Sequence, residues 1–374
     1  SEWDPRGIQG ATDEFNSRYG PWMYASSKLL AFQWNGTNSF TVTVGKKSIV
    51  VRPLYATSRD ADGLSDLLNK AHEHYRRPVY IMVDGHRWDA TQGIKLLKLK
   101  LAWYQRMGIE SNFADALQEL LVLVGRLGFG DSSVAYNSDG TVRSGDPDTS
   151  SGNSFINILI HVYMLLELGC EEADIWALGD DNLIIAKSFY VNADMVTEVL
   201  KTTGIVPVVN VSHNLNEMEF CSARFYPTSK GLRMGPKIGR FLARMGWSIQ
   251  NITLAPKKKS PEAYHTMVYK ATLEALQKYV SHVPFVRVYV SVTLKQLEDT
   301  YVSAEVRKTV DLQTQFTWTG DVQAEATADT WAMVEEIYGL TPTMERHFKS
   351  LLQSSAPPSL INWDVIDRIV RIDT

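Results

Sequence analysis

With 374 residues, 44% of them hydrophobic and 21% charged, the chain has enough apolar material to bury a substantial core. No run of roughly eighteen apolar residues occurs and no charged-then-apolar leader opens the sequence, so neither a transmembrane helix nor a signal peptide is expected. Only Cys170 and Cys221 are present, which argues against a disulfide framework or zinc site and fits a reducing compartment, and a net charge of −4 does not by itself mark a nucleic-acid binder.

The chain begins at Ser1, which reads as a processed product, a second subunit or a trimmed chain. Thr41 to Pro53 alternates in polarity and predicts a strand pair around Gly45. Asp60 to Tyr75 predicts a helix, because Leu64, Leu67, Leu68 and Ala71 recur at helical spacing. His72 and His74, two apart on that helix, point away from each other and read as solvated. Arg76-Arg77-Pro78 halts the helix, and Val79 to Val83 predicts a strand ending at Asp84, with Asp89 five positions on. Helices are expected over Gln92 to Arg106 and over Phe113 to Leu127, the latter with Leu117, Leu120, Leu121 and Val124 inward. Gly128 to Gly145 reads as a hairpin turning at Ser138-Asp139-Gly140.

Ser151 to Leu168 predicts a long buried helix closed by Gly169. Two short apolar runs flank Gly179-Asp180-Asp181, so Ile175 to Ile185 reads as strand, tight turn, strand. Asn192 caps a helix through Lys201, Ile205 to Val211 is a strand, and Met218 to Tyr226 with Lys230 to Gly235 forms a further hairpin. Helices follow over Glu262–Tyr279, Ala328–Tyr338, Met344–Leu352 and Trp363–Ile372. Between Phe220 and Ser260 lie Arg224, Lys230, Arg233, Lys237, Arg240, Arg244, Lys257, Lys258 and Lys259 without one acidic residue, a local field suited to a phosphate backbone or to a solvated basic face.

Adjacent carboxylates at the end of buried strands need a positive partner, and a divalent cation such as Mg²⁺ or Mn²⁺ suits their oxygens. By itself Gly179-Asp180-Asp181 also suits a solvated turn. It stands, however, behind two other blocks: Tyr80 to Asp89, a strand ending in Asp84, and Ser144-Gly-Asp-Pro-Asp-Thr-Ser-Ser-Gly-Asn153, which runs into the long helix.

These three blocks, in this order, resemble motifs A, B and C of the viral RNA-dependent RNA polymerases of positive-strand RNA viruses, in their tombusvirus- and nodavirus-like form. The resemblance covers roughly residues 5–250. It implies an α+β right-hand polymerase: a split βαβ antiparallel palm, partial fingers and a helical thumb. Residues 1–78 would be partial fingers, 79–94 palm, 95–142 a fingers and palm insertion, 143–226 palm and 227–374 thumb. Asp84 and Asp180 would hold two Mg²⁺ or Mn²⁺ ions with Asp181 assisting, Asp84 lying beside the strand that ends at Asp180. Asp89 and Asn153, with Ser144, Gly145 and Thr149, would read the ribose 2′-hydroxyl, and Asn157, one turn on, would orient Asn153. Arg6 and Arg18 match loosely a fingers motif that guides the incoming triphosphate. Phe220, Cys221 and Ser222 match the primer grip in position, and Lys237, Arg240 and Arg244 would bind product duplex. No lysine occupies the loop Gly204 to Asn214, so His213 or Lys201 would protonate pyrophosphate.

The implied partners are NTPs, an RNA template and product duplex, an N-terminal fingers segment or second chain, and a membrane-tethered replication partner in the host cytoplasm. Two other classes account for part of the pattern. A two-metal phosphodiesterase explains the carboxylates but not Ser144 to Asn153. A non-catalytic RNA-binding subunit explains the thin fingers region but has no need of three aspartates.

Overall fold

A computed structural model describes residues 10–129, 132–246, 260–314, 321–357 and 361–374. The chain divides into two compact units, one of Ser1–Ser58 and Ala71–Leu215, the other of Arg59–Lys70 and Asn216–Thr374.

The first unit is built on a six-stranded sheet in the order β1-β2-β6-β7-β3-β8. Its strands are β1 (Phe40–Val44), β2 (Lys47–Tyr55), β3 (Val79–Gly85), β6 (Glu172–Leu178), β7 (Asp181–Ala186) and β8 (Pro207–Ser212). The outer pair β4 (Val122–Phe129) and β5 (Ser132–Asp139) forms a separate ribbon. Every neighbour pairing in the central sheet is antiparallel except β2 with β6, so the sheet is mixed and the fold is α+β. Through that parallel pairing the β1–β2 ribbon, expected in the fingers, extends the central sheet. The inner strands β3, β6 and β7 are largely apolar and buried because they are covered, whereas the edge strands β1 and β8 are mostly exposed or half-buried. Helix α6 (Thr149–Glu167) packs on β2 and β6, and α7 (Ala193–Lys201) on β8. Ile156, Ile160 and Leu165 meet Val51, Ile175, Ile184 and Val196 in the shared core.

The helices before α6 in this unit include α1 (Asp13–Gln33), a single-turn α3 (Trp88–Thr91) and α4 (Ile94–Arg106). The helix α2 (Ala61–Tyr75) gives its first turns to the second unit and its end to the first. His72 is not solvated as expected: its ring stacks on Tyr80, and burial lowers its pKa. His74 is exposed and pairs with Glu172 at 2.8 Å.

The helix expected over Phe113 to Leu127 is overturned. A short α5 (Ser111–Leu117) and a 3₁₀ turn at Gln118–Leu121 give way to β4, which pairs in full register with β5. Val124, expected inward, is 73% exposed. Gly125 and Gly128 weaken a helix, and Tyr136 packs where a Gly125 Cβ would sit. The turn expected at Ser138-Asp139-Gly140 is the end of β5 instead, since the ladder runs from Val122↔Asp139 to Phe129↔Ser132.

In the second unit, β9 (Glu219–Phe220), β10 (Ala223–Thr228) and β11 (Gly231–Pro236) form a meander. Asn69 clamps β11, donating to Leu232 O and accepting from Leu232 N–H, both at 3.0 Å. Helix α8 (Ile238–Arg244) follows, and all the helices expected after Pro261 are present, as Pro261–Leu276, Ala328–Tyr338, Pro342–Gln353 and Asp364–Asp373. Two more, Val286–Gln296 and Ala304–Thr314, were missed in the sequence. A Cβ on Gly239 would lie 2.0 Å from Ile369 O, so α8 meets the last helix at backbone contact.

Candidate active site

The turn between β6 and β7 carries the paired aspartates. Gly179 adopts φ +66, a region L-residues resist, and Leu178 pairs with Asp181 across the turn. Helix α6 grips the turn by its backbone. Ser154 Oγ accepts the Gly179 N–H at 2.8 Å, and Asn157 Nδ2 donates to Gly179 O at 3.1 Å and to Asp180 O at 2.8 Å. Asn157 therefore holds the turn, where the sequence suggested that it orients Asn153. His161 Nδ1, one helical turn further, donates to Asn157 O at 2.7 Å. Its Nε2 has no partner among the described residues, and burial pulls its pKa down to about 4, leaving a neutral ring.

The ladder between β3 and β7 runs from Val79↔Ala186 to Ile81↔Ile184. Beyond it the Asn182 side chain takes over. Its Oδ1 accepts the Val83 N–H at 3.0 Å, and its Nδ2 donates to Val83 O at 2.7 Å and to Asp180 O at 3.3 Å. Continuing the register sets Asp84 level with Asp181. The strand beside Asp84 is thus β7, and β6, which ends before Asp180, lies one strand further out; the hairpin's return strand inserts between them. Asp84, Asp180 and Asp181 are all exposed at this end of the sheet.

A second polar chain lies alongside. Asn153 Nδ2 donates to Asp89 Oδ1 at 2.8 Å, and Asn153 Oδ1 accepts from Gln92 Nε2 at 2.6 Å. The loop before α6 is tied down internally: Thr149 Oγ1 donates to Asp146 O at 2.7 Å, while Ser144 and Gly145 stay exposed and Gly145 bridges Gly10. Beneath it, Asp148 accepts from Tyr104 and pairs with Lys100, both at 2.8 Å, with both ionic side chains almost fully buried. Gly152 permits this approach, since a Cβ there would lie 2.8 Å from Asp148 Oδ2 and Lys100 Cδ. Burial and the neighbouring Asp148 push the Asp146 pKa up to about 6, although Arg143 pairs with it at 2.7 Å.

Other expected residues fall elsewhere. His213 Nδ1 donates to Pro78 O at 3.1 Å, beside the start of β3. Tyr80 pairs with Ser212 and Asp84 with Val208, so His213 and Asp84 lie at opposite ends of the strand, roughly 15 Å apart at strand rise. Gly85 pairs with Pro207, so the connection from Lys201 enters at the Asp84 end, and Lys201 pairs with Glu198 at 2.9 Å. Arg18 is exposed on α1 with its guanidinium over the rings of Tyr19 and Phe113. Arg6 and Lys257, Lys258 and Lys259 lie outside the described residues.

In the second unit, Phe220 is buried, and Cys221 and Ser222 form the β9–β10 turn at φ +51 and +60. In the basic stretch there, three of the six described basic residues are ion-paired. Arg224 pairs with Glu219 at 2.7 Å, Lys237 with the same carboxylate, and Arg233 with Asp66 at 3.2 Å. Lys237 is thus an ion-pair partner rather than an open cation, because folding brings Glu219 beside it. Arg240 and Arg244 lie on α8.

Three oxygen donors at one sheet end are the donor type that Mg²⁺ or Mn²⁺ takes, although among the described residues no three His, Cys, Asp or Glu side chains form a ready metal site. Sequence reasoning missed Gln92, Ser154, Asn182 and the Lys100–Asp148 pair. Two of them carried a signal: Asn182 interrupts an apolar strand and Lys100 an apolar helix face between Leu97 and Tyr104, and buried polar groups must find partners.

A family model described as viral RNA dependent RNA polymerase matches residues 46–341. An RNA-directed RNA polymerase of Groundnut rosette virus is 24% identical over 233 residues, covering 62% of this chain and 26% of the relative. Those of Cymbidium ringspot virus and Tomato bushy stunt virus are 23% and 24% identical, over 60% and 55% of this chain and 28% and 26% of their own lengths. The chain thus spans about a quarter of the length of these relatives. With most of its length matched, and with the paired aspartates gripped by the helix that follows Ser144 to Asn153, the chain belongs to the viral RNA-dependent RNA polymerase family.

Proposed function

We propose that this chain carries out template-directed RNA synthesis, transferring a nucleotidyl group from an NTP to an RNA 3′-hydroxyl and releasing pyrophosphate, in replication of a viral RNA genome. The observation that carries the reading is the Asn153–Asp89 hydrogen bond on the same helix that grips the Gly179-Asp180 turn. One helix then serves both sugar and reaction centre. The central sheet with α6 and α7 corresponds to a palm, and the helices after Pro236 to a thumb.

Asp84 and Asp180 would be the principal metal ligands, with Asp181 assisting. Two bound ions would acidify the 3′-hydroxyl and neutralise charge on the departing pyrophosphate. Ser154, Asn157 and Asn182 keep the turn from shifting, which matters because small displacements of reacting groups are costly. Asp89 accepts from Asn153, and the pair would read a ribose hydroxyl, a group that separates RNA precursors from DNA precursors. Template and product RNA are the macromolecular partners. The setting implied by the family likeness is the host cytoplasm, with a membrane-tethered partner; among the described residues no helix is long and apolar enough to cross a membrane.

The test is incorporation of labelled NTP on an RNA template in Mg²⁺ or Mn²⁺, compared with Asp180→Asn. Template-dependent, metal-dependent product from wild type and none from the variant is expected. Equal product from both would overturn the reading, and degradation of the RNA without incorporation would favour a phosphodiesterase.

A further inference from the structure

Gln92 is completely buried where α3 ends, and it has no place in the chemistry described so far. Its neighbours make it the end of a polarised chain. A carboxylate only accepts, so Asp89 obliges Asn153 to present its Nδ2, at 2.8 Å. Asn153 Oδ1 then faces inward, where it needs a donor, and Gln92 Nε2 supplies one at 2.6 Å. The two ends of the Asn153 amide are nearly identical in shape, so packing alone does not choose between its two orientations. Polarity does. A flipped Asn153 would set oxygen against the Asp89 carboxylate and NH₂ against the NH₂ of Gln92.

Gln92 is itself held by its main chain. Its carbonyl accepts the Thr141 N–H at 2.8 Å, and Asp89 O accepts the Val142 N–H at 2.9 Å, so one segment fixes both ends of the short Asp89–Gln92 turn. Gly140 makes the approach feasible: it adopts φ +82, and a Cβ there would lie 3.2 Å from Gln92 O. Among the described residues the Gln92 Oε1 has no hydrogen-bond partner, so it is the donor end of this buried amide that is in use.

We propose that Gln92 is a positioning residue for sugar selection: by donating to Asn153 Oδ1 it locks the polarity of that amide and, through it, the carboxylate of Asp89. The proposal rests on the reading of Asp89 and Asn153 as the 2′-hydroxyl site. Gln92 is fully buried and acts through Asn153, so its effect is confined to discrimination.

The experiment measures kcat/KM for ATP and for dATP with the full chain, in wild type, Gln92→Met, Asn153→Ala and the double variant, alongside thermal melting. Gln92→Met keeps the side chain's length and removes its donor. The expected result is a fall of about tenfold in the ATP/dATP ratio, the scale of one lost hydrogen bond. The double variant should fall no further than Asn153→Ala, because the two residues act as one unit. A lowered ratio in Asn153→Ala with a wild-type ratio in Gln92→Met would overturn the role of Gln92 and leave the sugar site standing. A wild-type ratio in Asn153→Ala would overturn both. Should Gln92→Met melt early, Gln92→Glu gives a second readout. Its carboxyl donates to Asn153 only while protonated, so its ratio should fall relative to wild type as pH rises, and a ratio that tracks wild type at every pH would overturn the proposal.

Discussion

Asn182 binds the backbone of Val83 as a strand partner would, its Oδ1 accepting the N–H at 3.0 Å and its Nδ2 donating to the carbonyl at 2.7 Å. The side chain replaces the ladder where β3 and β7 part, next to Asp84 and Asp181. Asn182→Ala would leave two backbone groups of Val83 without their partner. A loss of about 2 to 6 kcal/mol in stability is expected by chemical denaturation, since each of the two orphaned groups costs about 1 to 3 kcal/mol. Synthesis should fall with it, while the KM for NTP changes less. A variant as stable as wild type would show that water replaces the amide.

Asp84→Asn and Asp180→Asn should each reduce nucleotide incorporation by on the order of a thousandfold or more, with the fold and RNA binding kept. Both side chains are exposed, so the substitutions disturb no core packing. Near-normal incorporation by either variant in Mg²⁺ would remove it from the ligand set.

The second unit divides the basic residues by their pairing. Arg240→Ala with Arg244→Ala should weaken RNA binding across sequences and flatten its salt dependence by a slope of about 0.7 to 0.9 per lost phosphate contact. Lys237→Ala should leave the slope nearly unchanged, because Lys237 is already paired with Glu219. Filter binding over a salt series distinguishes the two, and equal slopes for both variants would refute the division.

His161 links stability to pH. Burial depresses its folded pKa to about 4 from the ordinary 6.5, so the neutral ring stabilises the fold fully above pH 6.5. The unfolded chain takes up a proton first on acidification, and this contribution is lost as pH falls from 6.5 towards 4. At about 1.4 kcal/mol per pKa unit, the contribution is on the order of 3 kcal/mol. His161→Gln does not titrate, so the stability gap between wild type and variant should narrow as pH falls from about 7 to about 4. A gap constant across that range in urea melts would show that His161 keeps its proton equilibrium on folding.

Gly152→Ala would push a methyl group to within 2.8 Å of the buried Asp148 carboxylate and of Lys100. Asp148 and Lys100 are packed too closely to retreat, so a loss of about 1 to 3 kcal/mol in stability is expected, measured by denaturant melts. An unchanged midpoint would mean that α4 shifts freely away from α6.

Local pattern was enough for the central elements. Alternation and caps in the sequence place β3, the β6–β7 hairpin, α6 and α7 within a few residues of where they fold, because each has its own strong period and terminal signal. Where the period was ambiguous, at Phe113 to Leu127, a helix was expected and a β-ribbon formed, since Val122 to Phe129 satisfies its backbone with β5 rather than within itself. The aspartates of the site were legible as residue types in order along the chain. Their fastening was not. Asn157, Asn182 and Gln92 act on backbone or side chains between 22 and 99 positions away, and sequence spacing carries no record of such partners. The same holds for charge: Lys237 and Arg224 lie in a stretch without acids, yet both end beside Glu219, because the field at a residue is set by distance in space. Composition and motif thus determined which chemistry could be proposed for this chain, and only the tertiary packing decided which side chains lie open at that end of the sheet and which hold the others still.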